Sequence, residues 1–225
     1  MLFRFSLYGF LKNQQYYDPF IILAFREKGL SFLAIGTLIA FREITINILE
    51  IPSGAVADIY GRRRSMILSF CAYIASFAVF GMAFSLPLLF AAMFLFAVGE
   101  AFRTGTHKAM IFTWLRIHGR ADERTKVYGY TRSWSKFGSA VSVILAAIFV
   151  LVSNNYVYIF YLSIIPYALG IVNFLGYPKE LDGEPARDAS LAGTIRHLKE
   201  SLSEAIRRAS VRRLMLESMG FEGVF

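Results

Sequence analysis

The chain has 225 residues, of which 56% are hydrophobic and only 18% charged, with a mean hydropathy of +0.50. A soluble domain of average composition has about 45–50% apolar and about 25% charged residues. Uncharged runs such as residues 66–84 and 156–177 are long enough to cross a bilayer as helices. These features exclude an ordinary soluble protein and predict an all-α integral membrane protein.

The remaining composition narrows the chemistry. The single cysteine, Cys71, lies in an apolar run, so no disulfide framework or redox pair is expected. The three histidines are far apart, and no nucleotide-binding or hydrolase motif occurs, so we expect no metal site, no cofactor and no enzymatic activity. The net charge of +8 is better explained by basic cytoplasmic loops than by nucleic-acid binding, and no nucleic-acid partner is expected.

Six apolar segments predict six transmembrane helices. In chain order they cover residues 5–25, 31–52, 65–84, 88–110, 127–152 and 156–177. Helices are expected because lipid-exposed backbone must form its hydrogen bonds within the segment, and these runs lack the alternation of barrel strands. Several connections are very short, which predicts antiparallel neighbours. Residues 1–177 should therefore form a six-helix transmembrane bundle.

Basic residues are concentrated in alternate loops. The loops after the second and fourth spans and the segment after the sixth are rich in Lys and Arg, whereas the opposite loops contain only Arg26 and Lys28. By the positive-inside rule, the N-terminus and the basic loops should be cytoplasmic. The chain is therefore expected to be an integral protein of the plasma (inner) membrane, in contact with lipid.

After the sixth span the composition changes. Residues 178–210 are polar and contain several helix breakers, so they predict a cytoplasmic linker. Apolar residues at three- and four-residue steps predict an amphipathic helix on the membrane surface or the bundle, with a partner-binding helix as the alternative. These residues are Leu191, Ile195, Leu198, Leu202 and Ile206. Residues 211–225 become apolar again and predict the beginning of a truncated seventh transmembrane helix.

Charged and polar side chains inside the predicted spans mark a candidate functional cleft. An ionisable group at mid-bilayer costs about 2.5–3.5 kcal/mol on insertion scales, so it should face protein or water. Charges occur in spans one, two, four and five, which should surround the cleft, whereas the uncharged spans three and six should face lipid. The candidate substrate and coupling residues are Lys12, Gln15, Asp18, Arg42, Glu43, Asn47, Glu50, Glu100, Arg103, His107, Arg132 and Lys136.

Some of these residues have simpler interpretations. Glu100 and Arg103 are three residues apart, so they could form an intrahelical pair that only holds the bundle together. Lys108 is predicted as an end residue whose side chain extends to the membrane surface, and Arg132 could be another. In the first span, Pro19 predicts a bend beside the cleft.

The connection between spans two and three carries a motif. Gly54 allows close packing, Asp58 offers an acceptor for a helix N-terminus or an arginine, and Gly61 permits a tight turn. A basic run follows, made of Arg62, Arg63 and Arg64. At this position the pattern G-x-x-x-D-x-x-G-R-[RK]-x resembles the signature loop of the major facilitator superfamily.

The resemblance extends over the whole chain and implies the N-terminal half of a twelve-helix transporter. In that family two six-helix halves bind a small solute at mid-membrane between them and expose it alternately to the two sides. The resemblance further implies that spans one, two, four and five line the cavity and that Asp58 helps to latch the halves on the cytoplasmic side. The expected partners are a small-molecule substrate and either a missing C-terminal half or a second copy of the chain.

The predicted function is therefore secondary active transport with ion or proton coupling. Glu43, Glu50 and Glu100 are the candidate proton carriers, and Glu43 is favoured because it lies deepest in its span. Two family patterns are missing: Leu95 replaces the arginine expected before Gly99, and span five has no Gly-Pro pair, so efflux by proton exchange has no motif support. The alternative is a non-transporting six-helix scaffold or pseudo-transporter. Cargo, direction and coupling ion stay open.

Overall fold

The computed structural model describes residues 1–182, except for the side chains of Ile51, Ala55 and Asp58. These residues form eight α-helices and three short 3-10 turns and contain no β-strand, which confirms the all-helical fold class. The 3-10 turns are Asp18–Phe20, Ala121–Glu123 and Lys179–Asp182. The α-helices are α1 (Leu2–Lys12), α2 (Ile21–Glu27), α3 (Phe32–Tyr60), α4 (Arg62–Met82), α5 (Leu86–Arg103), α6 (Thr106–Ile117), α7 (Arg124–Ser153) and α8 (Tyr158–Leu175). Residues 178–182 of the predicted linker are described, whereas its predicted amphipathic helix and the predicted seventh helix lie outside the described residues.

Five helical segments in the described part of the chain are long and apolar enough to cross a membrane. They are Phe32–Glu50, Arg62–Met82, Leu86–Ile117, Ala121–Ser153 and Tyr158–Leu175. These segments correspond to predicted spans two to six. The first predicted span differs because it is divided into α1 and α2, and neither piece alone reaches the length of a span.

The first span is interrupted at mid-length, whereas the sequence predicts only a bend beside Pro19. α1 ends at Lys12, and an irregular stretch and a 3-10 turn separate it from α2. The side-chain amide of Asn13 donates a hydrogen bond to the Gly9 carbonyl at 2.7 Å, which competes with continuation of the helix. Pro19 lies in the 3-10 turn that follows. The break therefore begins at the polar run and not at the proline.

The fourth predicted span is also interrupted, at Thr104 and Gly105 between α5 and α6. Gly105 has φ +74°, a left-handed conformation that glycine adopts without side-chain strain. The sequence predicts an unbroken helix over residues 88–110, but the chain turns here and then continues as α6 to Ile117. The first and fourth predicted spans are thus both interrupted within their length.

The helices pack around α4. α4 contacts α3, α5 and α8, while α1 packs against α7 and α8, and α3 packs against α5. Aromatic side chains fill the core, among them Phe70, Tyr73 and Phe77 of α4. We expected the third and sixth spans at the periphery, but α4 is the most deeply buried of the five segments, because three helices cover its small and aromatic side chains.

Glycines allow α1 and α7 to approach closely. A Cβ at Gly138 of α7 would lie 2.6 Å from the carbonyl oxygen of Phe10 in α1, and one at Gly9 would lie 2.8 Å from the Thr131 carbonyl oxygen. The side-chain amide of Gln14 donates to the Gly138 carbonyl at 3.1 Å. The backbones of the two helices are therefore in direct contact.

We expect Gly138→Ala to lower the free energy of unfolding by about 1–3 kcal/mol, since the added methyl group would overlap the backbone of α1. Thermal unfolding in detergent measures the effect. Gly129→Ala is the matched control, because Gly129 lies on the same helix and no other part of the described chain comes within 4 Å of its Cβ position. Equal melting temperatures for the two variants would contradict the close packing of α1 on α7.

Candidate functional site

A cavity of about 110 Å³ lies between α1, the break that separates α5 from α6, and α7. Lys108 of α6, predicted as an end residue, lines this cavity. Four of the predicted site residues line it as well: Lys12, Arg103, His107 and Arg132. The structure therefore brings together candidates from the first, fourth and fifth spans.

Arg103 is held in place by two partners. Its guanidinium forms an ion pair with Glu100, and its Nε donates to the hydroxyl of Tyr73 at 3.2 Å. The Tyr73 hydroxyl in turn donates to the Glu100 carboxylate. Only 15% of the Arg103 side-chain surface and 22% of that of Glu100 are exposed. The intrahelical pair is thus formed, and α4 contributes to it through Tyr73.

His107 is buried beside the cavity and connects three parts of the bundle. Its ring stacks on Tyr8 of α1 with 3.7 Å between the ring centroids. Its Nε2 lies 3.1 Å from the hydroxyl of Tyr177, just after α8. Because that hydroxyl donates to the Arg4 carbonyl, also at 3.1 Å, we assign the proton to Nε2, which donates to Tyr177. His107 therefore packs the bundle as well as lining the cavity.

The predicted residues of α3 lie on a separate face. Arg42 pairs with Glu43 at 2.5 Å, and the side-chain amide of Asn47 donates to the Glu43 carbonyl at 2.9 Å. Glu43, Asn47 and Glu50 are exposed in the described bundle. None of these four residues lines the cavity.

The remaining three candidates also lie outside the cavity. Gln15 is half-buried in the interrupted part of the first span, and Asp18 is exposed. Lys136 is exposed on α7, one turn beyond Arg132. The charges inside the spans are therefore divided between one cavity and two or more separate surfaces.

Aromatic and basic residues of the cavity were missed by sequence reasoning. Tyr8 and Tyr128 line it, and Tyr73 reaches Arg103 from the uncharged α4. Tyrosine is common in apolar spans, so its periodicity carries no signal for a cavity. The charge of Lys108 did indicate a possible cavity residue, but we assigned it to the end of the span because the helix was expected to end near it.

The signature motif forms a helix end rather than a loop. α3 continues through Gly54 to Tyr60, Gly61 turns with φ +96°, and α4 begins at Arg62. A positive φ of this size is a conformation that favours glycine. The side chain of Asp58 lies outside the described residues, so its role as a latch stays a prediction.

The three arginines of the motif begin α4 and face different partners. Arg62 donates from Nη1 to the Thr113 hydroxyl of α6 at 3.0 Å. Arg63 donates from Nη1 to the Tyr177 carbonyl at 3.1 Å, and Arg64 is exposed. The motif therefore joins the start of α4 to the end of α6 and to the segment after α8.

The family model of the Major Facilitator Superfamily matches residues 8–225. The chain belongs to this superfamily. The match confirms the resemblance carried by the signature motif, and with the five apolar helical segments it makes the chain part of an integral membrane protein.

Relatives within the superfamily are similar over part of their length. An uncharacterized MFS-type transporter, YxaM of Bacillus subtilis (strain 168), is 34% identical over 104 residues, which is 46% of this chain and 25% of that protein. Similar solved structures include a POT family transporter in complex with a thioalcohol-conjugated peptide and the peptide transporter POT in complex with sulfate. For both, the TM-score is 0.67, the identity 17% and the coverage 100% of this chain and 47% of the other. The likeness shows the fold, and the chain spans about half the length of these structures.

The turn at Gly61 in the signature motif is held by a hydrogen bond to Asp182, a residue that the sequence analysis did not select. Asp182, in the 3-10 turn after α8, accepts a hydrogen bond from the Arg63 backbone N–H at 2.7 Å. It thereby caps the start of α4, where N–H groups lack partners within the helix. A Cβ at Gly61 would lie 2.9 Å from the Asp182 side chain, so glycine also provides the necessary space.

We expect Asp182→Ala to lower the free energy of unfolding by about 0.5–1.5 kcal/mol, the usual net contribution of one hydrogen bond. Thermal unfolding in detergent measures the loss. Glu180→Ala serves as the control, because Glu180 is an exposed carboxylate in the same 3-10 turn. Equal melting temperatures for Asp182→Ala and Glu180→Ala would mean that the hydrogen bond of Asp182 does not stabilise the protein.

Proposed function

We propose that the chain forms one half of a secondary active transporter that moves a small solute by alternating access, with coupling to protons or another ion. The observation that carries this proposal is the charged cavity at the breaks of two interrupted spans. Charges at this depth cost about 2.5–3.5 kcal/mol each in lipid, and non-helical backbone is tolerated only where it faces protein or water. A bundle that acted only as a scaffold would need neither feature.

The exposed face of α3 supports the presence of a second half of the transporter. Arg42, Glu43 and Glu50 would meet lipid there if the described bundle stood alone. We therefore propose that a second six-helix half, or a second copy of this chain, covers this face and encloses the solute between the two. Membership of the superfamily supports the same arrangement.

The basic residues support a cytoplasmic N-terminus in the plasma membrane. The arginines that begin α4 and the end of α6 lie on one side of the bundle, since Arg62 binds Thr113. Arg116, Arg120 and further basic residues follow on the same side, before α7. By the positive-inside rule this side faces the cytoplasm.

Counterflow in proteoliposomes tests the transport function. The intact gene product is reconstituted with a library of anionic, neutral and cationic solutes, and exchange is measured against protein-free liposomes. We expect at least one solute to exchange above the background. A reconstituted, folded protein that exchanges none would contradict transport and favour the non-transporting alternative.

Glu43 is the proposed coupling residue. Its carboxylate is paired with Arg42, so protonation would release the arginine. We expect Glu43→Gln to retain solute exchange but to lose uptake driven by a pH gradient, because the glutamine amide cannot bind and release a proton. Glu50→Gln, which changes another exposed carboxylate on this helix, shows whether the loss is specific. Uptake with an unchanged pH profile in Glu43→Gln would exclude Glu43 as the coupling site.

A further inference from the structure

We propose that the cavity between α1, α6 and α7 binds the oxyanion group of the transported solute, a carboxylate or a phosphate. The inference rests on the proposed function, because it names the class of solute. None of the described residues that line the cavity is acidic. Its charged lining consists of Lys12, Arg103, Lys108 and Arg132.

Most of this positive charge is not balanced. Arg103 is paired with Glu100, but Lys12, Lys108 and Arg132 form no ion pair with any residue in the described part of the chain. Lys12 and Arg132 also line the same small cavity as Arg103, so these cationic groups are gathered in one place. Like charges gathered at mid-membrane are unfavourable unless an anion joins them. A bound oxyanion would replace this repulsion with charge-assisted hydrogen bonds.

The volume of the cavity is suited to one anionic group. A volume of about 110 Å³ accommodates a carboxylate or phosphate but not a large solute, so the rest of the molecule would extend through the opening. Backbone is also accessible there, since Gly105 lines the cavity and no atom lies within 4 Å of its Cβ position. α6 begins at this point, and the positive end of its dipole adds to the attraction of the cationic side chains.

Anion binding is tested by thermal unfolding of the intact gene product in detergent at constant ionic strength. Succinate and inorganic phosphate are the probes, and glucose and choline are the neutral and cationic controls. We expect one or both anions to raise the melting temperature with increasing concentration, as ligands of a native state do, and the controls to have no effect.

Three substitutions locate the binding site. In Lys12→Gln and Arg132→Gln we expect the apparent dissociation constant of the stabilising anion to rise about tenfold or more, since each removes a charged hydrogen-bond donor. Lys136→Gln is the matched control, because Lys136 is an exposed cation one turn from Arg132 and outside the cavity. Without added anion, Lys12→Gln should melt no lower than the unmodified protein, because it removes repulsion. This last readout separates anion binding from a structural role.

Several results would overturn the proposal. They are the absence of any anion effect on the unmodified protein, an equal loss of the effect in Lys136→Gln, and a lower melting temperature of Lys12→Gln without anion. The assay is repeated with phosphatidylglycerol added. Stabilisation by this anionic lipid but by neither succinate nor phosphate would assign the cavity to a lipid headgroup and overturn the assignment to a solute.

The counterflow assay separates failure of this inference from failure of the transport function. Exchange of anionic solutes that is lost in Lys12→Gln and kept in Lys136→Gln supports the inference. Exchange confined to neutral or cationic solutes would overturn it and leave transport intact. If no solute exchanges at all, transport itself is contradicted, and with it the assignment of the anion as cargo, even where the melting assay shows binding.

Discussion

Replacing Arg103 with methionine should lower the free energy of unfolding by about 3–5 kcal/mol, the typical cost of breaking a buried ion pair by removing one partner. The reason is the Glu100 carboxylate, which is largely buried and would lose its counter-charge. The hydrogen bond from the Tyr73 hydroxyl would remain, but a neutral donor does not balance a full negative charge. Thermal unfolding in detergent measures this loss.

A second substitution shows whether the orphaned carboxylate is the cause. Arg103→Met combined with Glu100→Gln should recover much of the lost stability, because the amide carries no charge. Lys136→Met is the control for removing a cation from a span, since Lys136 is exposed and no ion pair involves it among the described residues. A single variant Arg103→Met as stable as Lys136→Met would mean that the ion pair contributes little.

A monomer of residues 1–225 should show no solute exchange in proteoliposomes. Alternating access requires two helical bundles that move against each other, and the described residues form one of them. The face of α3 that carries Arg42, Glu43 and Glu50 would meet lipid, at a cost of roughly several kcal/mol summed over these charges. We expect residues 1–225 to aggregate or to associate through this face.

Size-exclusion chromatography in mild detergent and counterflow together test this expectation. Residues 1–225 should elute as a species larger than a monomer, and co-expression with a C-terminal half should give a stable, monodisperse particle. Replacing Glu50 with glutamine should weaken the self-association, because it removes a charge from the exposed face without leaving Arg42 unpaired. A monodisperse monomer that exchanges solute would show that one bundle is sufficient.

Five of the six spans could be predicted from hydropathy, because a long apolar run has few alternatives to a transmembrane helix. The interruptions could not be predicted. Hydropathy is the same whether the chain between Arg103 and Thr106 is helical or turned, and glycine is common in membrane helices. The break after Lys12 depends on the hydrogen bond of the Asn13 side chain to the Gly9 carbonyl, which competes with the helix through local geometry.

The candidate site, like the fold, could be predicted from the sequence only in part. Helical spacing indicates which charges share a face of one helix, as for Glu43 and Asn47, but not which faces of different helices meet. The convergence of Lys12 and Arg103 on one cavity therefore required the packed structure. The Asp182 cap was hidden for another reason: it binds a residue 119 positions earlier, and no local pattern marks it.

The breaks in the first and fourth spans also have an electrical consequence. Backbone that leaves the helix within a span needs protein or water as a partner, and we expect water to fill the charged cavity whenever no solute does. The membrane potential then falls across a dry layer thinner than the ~30 Å of hydrocarbon around the protein. A unit charge that crosses the membrane changes its energy by about 2.3 kcal/mol per 100 mV, and in this arrangement that change would be concentrated within the thinner layer. Because Lys12 and Arg103 line this cavity, we expect the passage of an anion past them to depend on voltage.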